Sequence, residues 1–252
     1  MKIPGIILCI FVLLGVLCAE QKTDLSAVEG ITASQIVDRM TKSNRKRNQE
    51  LHSYTGQRQY HLLYTGFAGK READLVVEVK YEAPSRKDFR VISESGSHWM
   101  INRVLKRLLE TEKEAADEKN QERTALIEEN YAFSLLGQED VGGRPSYVLQ
   151  VEPRTANRLL YRGKVWIDAA DYALSKIEGE PAKYPSFWIT KTIVHHSYRK
   201  VGDFWLPARN ESKTDVRLGG HAMLSIEYGD YKVVAQTTSP SNSLHEQSEP
   251  RL

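Results

Sequence analysis

The chain has 252 residues, enough for one domain or at most two. Its 35 lysines and arginines nearly cancel its 33 aspartates and glutamates, leaving a formal net charge of +2. That balance argues against an electrostatic nucleic-acid binder, which needs a basic face.

The first residues bear on compartment. Lys2 precedes an apolar run, Ile6 to Leu17, of about a dozen residues, too short for a comfortable transmembrane helix. Small residues close it at Cys18-Ala19, so residues 1–19 read as a secretory signal peptide, cleaved after Ala19. Both cysteines, Cys9 and Cys18, lie inside it, and the mature chain is expected to fold without disulfides or thiolate metal sites. A lipid anchor at Cys18 is the minor alternative, because Leu17 stands where a lipobox has Gly or Ala. An exported, cysteine-free chain of this kind looks bacterial and hence periplasmic. Asn210-Glu-Ser212 is formally a glycosylation sequon but means little there.

After a polar lead-in, Thr32 or Ser34 can cap a helix in which Ile36, Val37 and Met40 recur at helical spacing. The helix ends in a polar run, Asn44 to Glu50. The basic cluster Lys42, Arg45, Lys46 and Arg47 reads more simply as a solvated helix face than as a phosphate or headgroup site. Strands follow over Leu51 to Phe67, Ala73 to Tyr81 and Lys87 to Glu94. In the second, Leu75, Val77, Val79 and Tyr81 point one way and Asp74, Glu78, Lys80 and Glu82 the other.

Between Trp99 and Asn130 the period changes. Ile101, Val104, Leu105 and Leu108 form a short apolar stripe, and Glu110 to Glu129 is almost wholly polar. The pattern predicts one helix or two, docked by its first half and solvated in its second. So long a connection is either a lid over an apolar cavity or an insertion that caps a sheet edge. Strands resume at Tyr131 to Val141 and Ser146 to Val151. A final meander runs from Tyr161 to Tyr231, each segment rich in β-branched and aromatic residues and bounded by Gly, Asp, Asn or Pro. Residues 236–252 have the composition of a disordered tail.

About ten strands with helices segregated to two places predict an α+β class: a large antiparallel sheet that curls into an incomplete barrel, with helices over its open, concave side. The charges at Glu78, Lys80, Arg162, Lys164, Lys191, Lys200, Glu211 and Lys213 are hostile to lipid and argue against an outer-membrane barrel. The 12 tyrosines and four tryptophans sit mostly on strands; most are explained as core, and a curled sheet lined with them would also suit acyl chains.

Catalytic candidates are weak. His195 and His196 are adjacent on a strand and point to opposite faces, so they cannot share a metal. Asp168 and Asp171 flank a tight turn that favours Asp for backbone reasons. His221 follows Gly219-Gly220 and reads as an exposed edge residue. No nucleophile elbow, His-Glu-x-x-His or phosphate-cradling glycine loop is present. No catalytic residue, metal or cofactor is expected.

The exported start, the opening helix with three strands, the helical interruption after Gly96, the run Tyr161-Arg-Gly-Lys-Val-Trp-Ile-Asp168 with Ala173-Leu-Ser-Lys-Ile-Glu178, and the segment Gly202-Asp-Phe-Trp-Leu-Pro207 together resemble the periplasmic lipoprotein carrier (LolA-like) superfamily. The last pieces look most like its outer membrane lipoprotein-sorting relatives. The resemblance spans roughly residues 30 to 232, and the charged helix 106–129 is its departure. It implies a single half-barrel domain over 20–235 with a helical insertion at 98–130, a non-catalytic role, and an apolar cavity for acyl chains of lipoproteins or lipids. Delivery would involve an inner- or outer-membrane transport partner, and no nucleic acid. Apolar strand parity nominates Leu62, Tyr64, Leu75, Val77, Val79, Tyr81, Phe89, Val91, Leu149, Val165 and Ile167 as cavity residues, with Trp99, Ile101, Leu105 and Leu108 as the lid. The alternative is a regulatory or scaffolding module that binds a protein partner through the charged helix.

Overall fold

The computed structural model describes residues 30–235 apart from 68, 117–121, 185–186, 188 and 218. The expected signal segment 1–19 with Cys18, and the expected tail 236–252, lie outside the described residues.

Helix α1 (Ala33–Glu50) starts at a capping box: the Gln35 N–H donates to Thr32 Oγ1 at 3.2 Å while the Thr32 N–H donates to Gln35 Oε1 at 2.9 Å. Its apolar stripe, Ile36, Val37 and Met40, is buried, and the chain passes directly from Leu51 into the first strand. Strands β1 (Leu51–Gly66), β2 (Gly69–Glu82) and β3 (Arg86–Gly96) form a three-stranded meander. A second meander comprises β4 (Tyr131–Asp140), β5 (Pro145–Pro153), β6 (Tyr161–Asp168), β7 (Leu174–Pro181), β8 (Ile189–Val201), β9 (Phe204–Val216) and β10 (Gly220–Tyr228). β10 pairs with the second half of β1, and β11 (Lys232–Ala235) pairs with the first half. The result is one antiparallel 11-stranded sheet ordered β3-β2-β1-β10-β9-β8-β7-β6-β5-β4, with β3 and β4 as its edges and no barrel closure.

Cross-strand partners share a face. The register therefore defines a row across nearly the whole sheet: Leu75, Tyr60, Ile226, Asn210, His196, Ile177, Val165, Leu149, Leu135. Both ends of this row are apolar, and its middle, at Asn210 and His196, is polar. Each end is covered by a helix. α1 lays Ile36, Val37 and Met40 on Tyr131, Leu149, Val151, Val165, Ile167 and Ile177. At the other end sits a helical segment in three pieces: α2 (His98–Met100), a π-helical turn (Ile101–Leu105) and α3 (Lys106–Ala115). It buries Met100, Ile101, Leu105 and Leu109 against Leu62, Leu75, Val77, Val79 and Leu206.

The sheet order explains the length of the connection over residues 97–130. It joins the two opposite edges, β3 and β4, so it must cross the concave face. The helix expected over Glu110–Glu129 is shorter than its polar pattern suggested. Helix α3 ends at Ala115, residues 122–124 form a single helical turn, and 125–130 are bends and turns. Leu126, in the apolar pair Leu126-Ile127 of this run, packs inward against the α1 core.

Candidate binding cavity

A cavity of about 1100 Å³ lies between α1 and the sheet, at the upper end of what small-molecule sites span. Met40, Thr41 and Asn44 roof it, with Arg45, Asn48 and Gln49 at its exposed rim. Tyr131, Val151, Tyr161, Val165, Ile177 and Tyr198 form the floor, and Leu126 and Ile127 line one side. Tyr81, Ala83 and Pro84 line it as well, although β2 and β6 are six positions apart in the sheet order. Two such distant strands can meet one void only because the sheet curls. A smaller cavity of about 230 Å³, lined by Leu51, Phe204 and Leu206, shares Asn44, Asn48, Leu174 and Tyr198 with the first and continues it beneath α1.

Four tyrosines face the large cavity. Tyr81 Oη donates to the Pro84 carbonyl at 2.8 Å, and Tyr131 Oη accepts from the Tyr161 N–H at 3.3 Å. Burial pushes the Tyr131 phenol up to about 12 and raises those of Tyr161 and Tyr198 too. The Tyr161 ring meets His196 edge-on, centroids 5.6 Å apart. Burial, and then the charge of neighbouring His195, lowers the His196 imidazole to about 4, so it is neutral at pH 7. His195 points to the opposite face, 3.6 Å from Glu178, as strand alternation requires.

Two ionic clusters fix the surrounding elements. Arg58, 2% exposed on the inner face of β1, donates to Glu112 Oε2 at 2.6 Å, and Lys87 donates to Glu112 Oε1 at 2.9 Å, which ties α3 to β1 and β3. Beside α1, the buried Asp168 carboxylate accepts from Arg144 Nε at 2.6 Å and from the Asp171 N–H at 2.7 Å. Asp171 Oδ2 accepts from Lys200 at 2.8 Å and from Trp205 Nε1 at 3.0 Å. Arg47 donates to the carbonyls of Asp171 and Tyr172 at 2.8 and 3.1 Å, so this part of the basic run clamps the β6–β7 turn to the helix. Lys42 pairs with Asp38, and Lys46 with Glu50.

Of the residues nominated from sequence, Tyr81 and Val165 line the cavity. Leu62, Leu75, Val77 and Val79 lie in closed packing beneath the 98–109 segment, with Tyr64 and Phe89 packed against it. Leu149 and Ile167 lie in the core under α1. Val91, on edge strand β3, is 42% exposed. Among the nominated lid residues, Ile101 and Leu105 are buried, Leu108 packs against the same core, and Trp99 is 64% exposed. The larger share of the lining escaped sequence reasoning. Asn44 and Asn48 look like solvated helix positions, and Leu126 and Ile127 sit in a run that reads as solvent-facing.

Among the described residues, no group of three His, Cys, Asp or Glu side chains is placed to hold a metal, and no helix is long and apolar enough to cross a membrane. Asn210 of the sequon is held inside the sheet, its Nδ2 donating to Tyr228 Oη at 2.8 Å.

Over residues 104–239, more than half of the chain, the sequence matches the model of a family whose description is "Uncharacterized protein". No curated protein matches. Among solved structures, the chain is similar to an outer membrane lipoprotein-sorting protein domain from Vibrio parahaemolyticus, at 12% identity over 81% of this chain and 93% of that one, with a TM-score of 0.37. It is similar also to a LolA superfamily protein from Nitrosomonas europaea, at 12% identity over 81% of this chain and 94% of that one, TM-score 0.33. A third match is MucB in complex with MucA(peri), at 12% identity over 78% of this chain and 93% of that one, TM-score 0.24. The superfamily resembled by the sequence is thus among the matches.

Proposed function

The chain belongs to that uncharacterized protein family, and within it we propose a non-catalytic binding protein that shelters the acyl chains of a lipid or lipoprotein. One observation carries this reading. A cavity of about 1100 Å³ stays open on the concave face although both ends of that face are plugged by helices. Its lining includes the apolar side chains of Met40, Leu126, Val151, Val165 and Ile177, and each methylene moved there from water contributes about 0.8 kcal/mol. One acyl chain would supply ample affinity, so release needs a membrane partner or a movement of α1. The same reading places the protein in the periplasm, exported by residues 1–19, and assigns its cargo to lipoprotein sorting at the outer membrane.

Native mass spectrometry with lipid extraction tests this on mature protein purified from a Gram-negative periplasm. Phospholipid or acylated peptide that co-purifies, and is lost on extraction, is the expected result. A lipid-free protein that also takes up no lipid from vesicles would leave the second reading, a protein-binding regulatory or scaffolding module. That alternative draws on Trp99, Val91 and Ile92, which are 64%, 42% and 47% exposed near the β3 edge, an apolar display that cavity binding leaves unused.

A further inference from the structure

We propose that the cavity recognises a diacylglyceryl ester, whose ester carbonyls accept hydrogen bonds from the hydroxyls of Tyr161 and Tyr198. The inference rests on the lipid-binding reading above and goes beyond it by naming the polar part of the ligand.

Two of the four cavity tyrosines have hydroxyl partners within the protein, Tyr81 at the Pro84 carbonyl and Tyr131 at the Tyr161 N–H. Tyr161 and Tyr198 both line the same void, and neither hydroxyl has a hydrogen-bond partner among the described residues. They are neighbours on the floor. The Tyr161 ring touches His196, and Tyr198 is two positions further along β8, on the same face. With the cavity hydrated, water satisfies both. A hydrocarbon chain that displaced this water would leave two hydroxyls unpaired in an apolar wall, the costly arrangement for a polar group. A ligand that brings acceptors to this depth removes that cost.

The acceptors must be neutral. Arg45 is the one cation among the described lining residues, and it is exposed at the rim, so nothing on the floor compensates a carboxylate. Burial raises both phenols, meaning that these surroundings disfavour negative charge. The nearby His196 imidazole is neutral at pH 7 and offers no charge either. Ester carbonyls fit, and a free fatty-acid carboxylate does not. A diacylglyceryl group occurs both in phospholipids and on lipidated cysteines, and the floor would recognise either.

The test compares binding of dipalmitoyl phosphatidylglycerol with its dihexadecyl ether analogue, equal in chains and headgroup but without carbonyls. Wild-type protein is expected to prefer the diester about tenfold, the combined effect of two net hydrogen bonds. The Tyr161→Phe, Tyr198→Phe double variant is expected to bind the diester no better than the diether, and to bind the diether at least as tightly as wild type does, since no hydroxyl is left to strand. The same pair of measurements on a dipalmitoylglyceryl-cysteine peptide and its ether identifies the source: ester preference with the peptide alone assigns lipoproteins, and with the phospholipid alone assigns membrane lipid. Equal affinity for ester and ether in both cases overturns the inference while leaving lipid binding intact. Absence of any binding defeats the lipid reading itself. If the double variant does not fold, the wild-type comparison alone decides.

Discussion

Arg58 is the side chain whose burial demands most of this fold. Its guanidinium sits on the inner face of β1 with Nε unpartnered, and it touches the Tyr228 and Phe89 rings at 4.6 and 5.5 Å from their centroids. Its charge is balanced by Glu112 from α3, which also accepts from Lys87. Burial alone would push the Glu112 carboxyl up; Lys87 and Arg58 overcome it and hold the group at about 2, below its ordinary 4.5. A depressed folded value means that the carboxylate's contribution is fully present above about pH 4.5 and is lost as pH falls towards 2. Removing one partner strands the other charges. Glu112→Ala is therefore expected to cost about 3–5 kcal/mol in urea unfolding at pH 7 and to flatten the acid limb of the stability profile between pH 4.5 and 2. Replacing the cluster as a unit, with Arg58→Met, Lys87→Met and Glu112→Leu, should recover most of that loss, because the desolvation cost goes with the charges. A Glu112→Ala protein as stable as wild type would show that α3 is held by its apolar contacts alone.

Among elements, the β6–β7 pair shows how closely the backbone is drawn together beside the cavity floor. Gly163 has φ +142°, and a Cβ there would run into the Glu178 carbonyl and lie 2.6 Å from the Gly179 Cα. Gly179 stands directly opposite, and a Cβ on it would strike the Arg162 carbonyl. Gly142, in the β4–β5 turn, also has positive φ, +63°, but a Cβ there meets nothing within 4 Å. The two glycines separate backbone strain from contact. Gly142→Ala should cost about 1 kcal/mol. Gly163→Ala should cost about 3 kcal/mol or more, since strain and overpacking act together and backbone cannot yield as a flexible side chain would. Urea midpoints of both variants check this, and equal losses would mean that the strands part easily. Strands of this kind were legible in the sequence because alternation is a local signal: Leu75, Val77, Val79 and Tyr81 do share the inner face. The β1–β10 pairing was not, since it joins segments more than 150 residues apart, and no local period records a distant partner. For the same reason the 97–130 connection looked merely long, when its length is set by the distance between the two sheet edges.

For the molecule as a whole, a curled sheet with an apolar inner face has more surface than one helix can cover. Here the α2–α3 segment fills one end by side-chain packing, while α1 roofs the other and leaves a void. Strand parity placed the inner face correctly but could not separate filled from open ground, because both are lined by the same residue types. Leu75 illustrates the limit. It is fully buried in the filled end, so Leu75→Glu would strand a carboxylate in the core and report on folding rather than on cargo. Leu174 is the informative position. It is partly buried and lines both cavities where they join beneath α1, so a larger side chain there fills void rather than core. Leu174→Trp is expected to keep its urea midpoint within about 1.5 kcal/mol of wild type and to lose co-purifying lipid to a tenth or less, an occlusion costing about 1.4 kcal/mol or more of binding. A folded Leu174→Trp protein that still carried a full lipid load would move the cargo out of the α1 cavity. Among the described residues that would leave the α2–α3 end, where uptake requires the helix to lift off Leu75, Val77 and Val79 and to break the Glu112 contacts with Arg58 and Lys87.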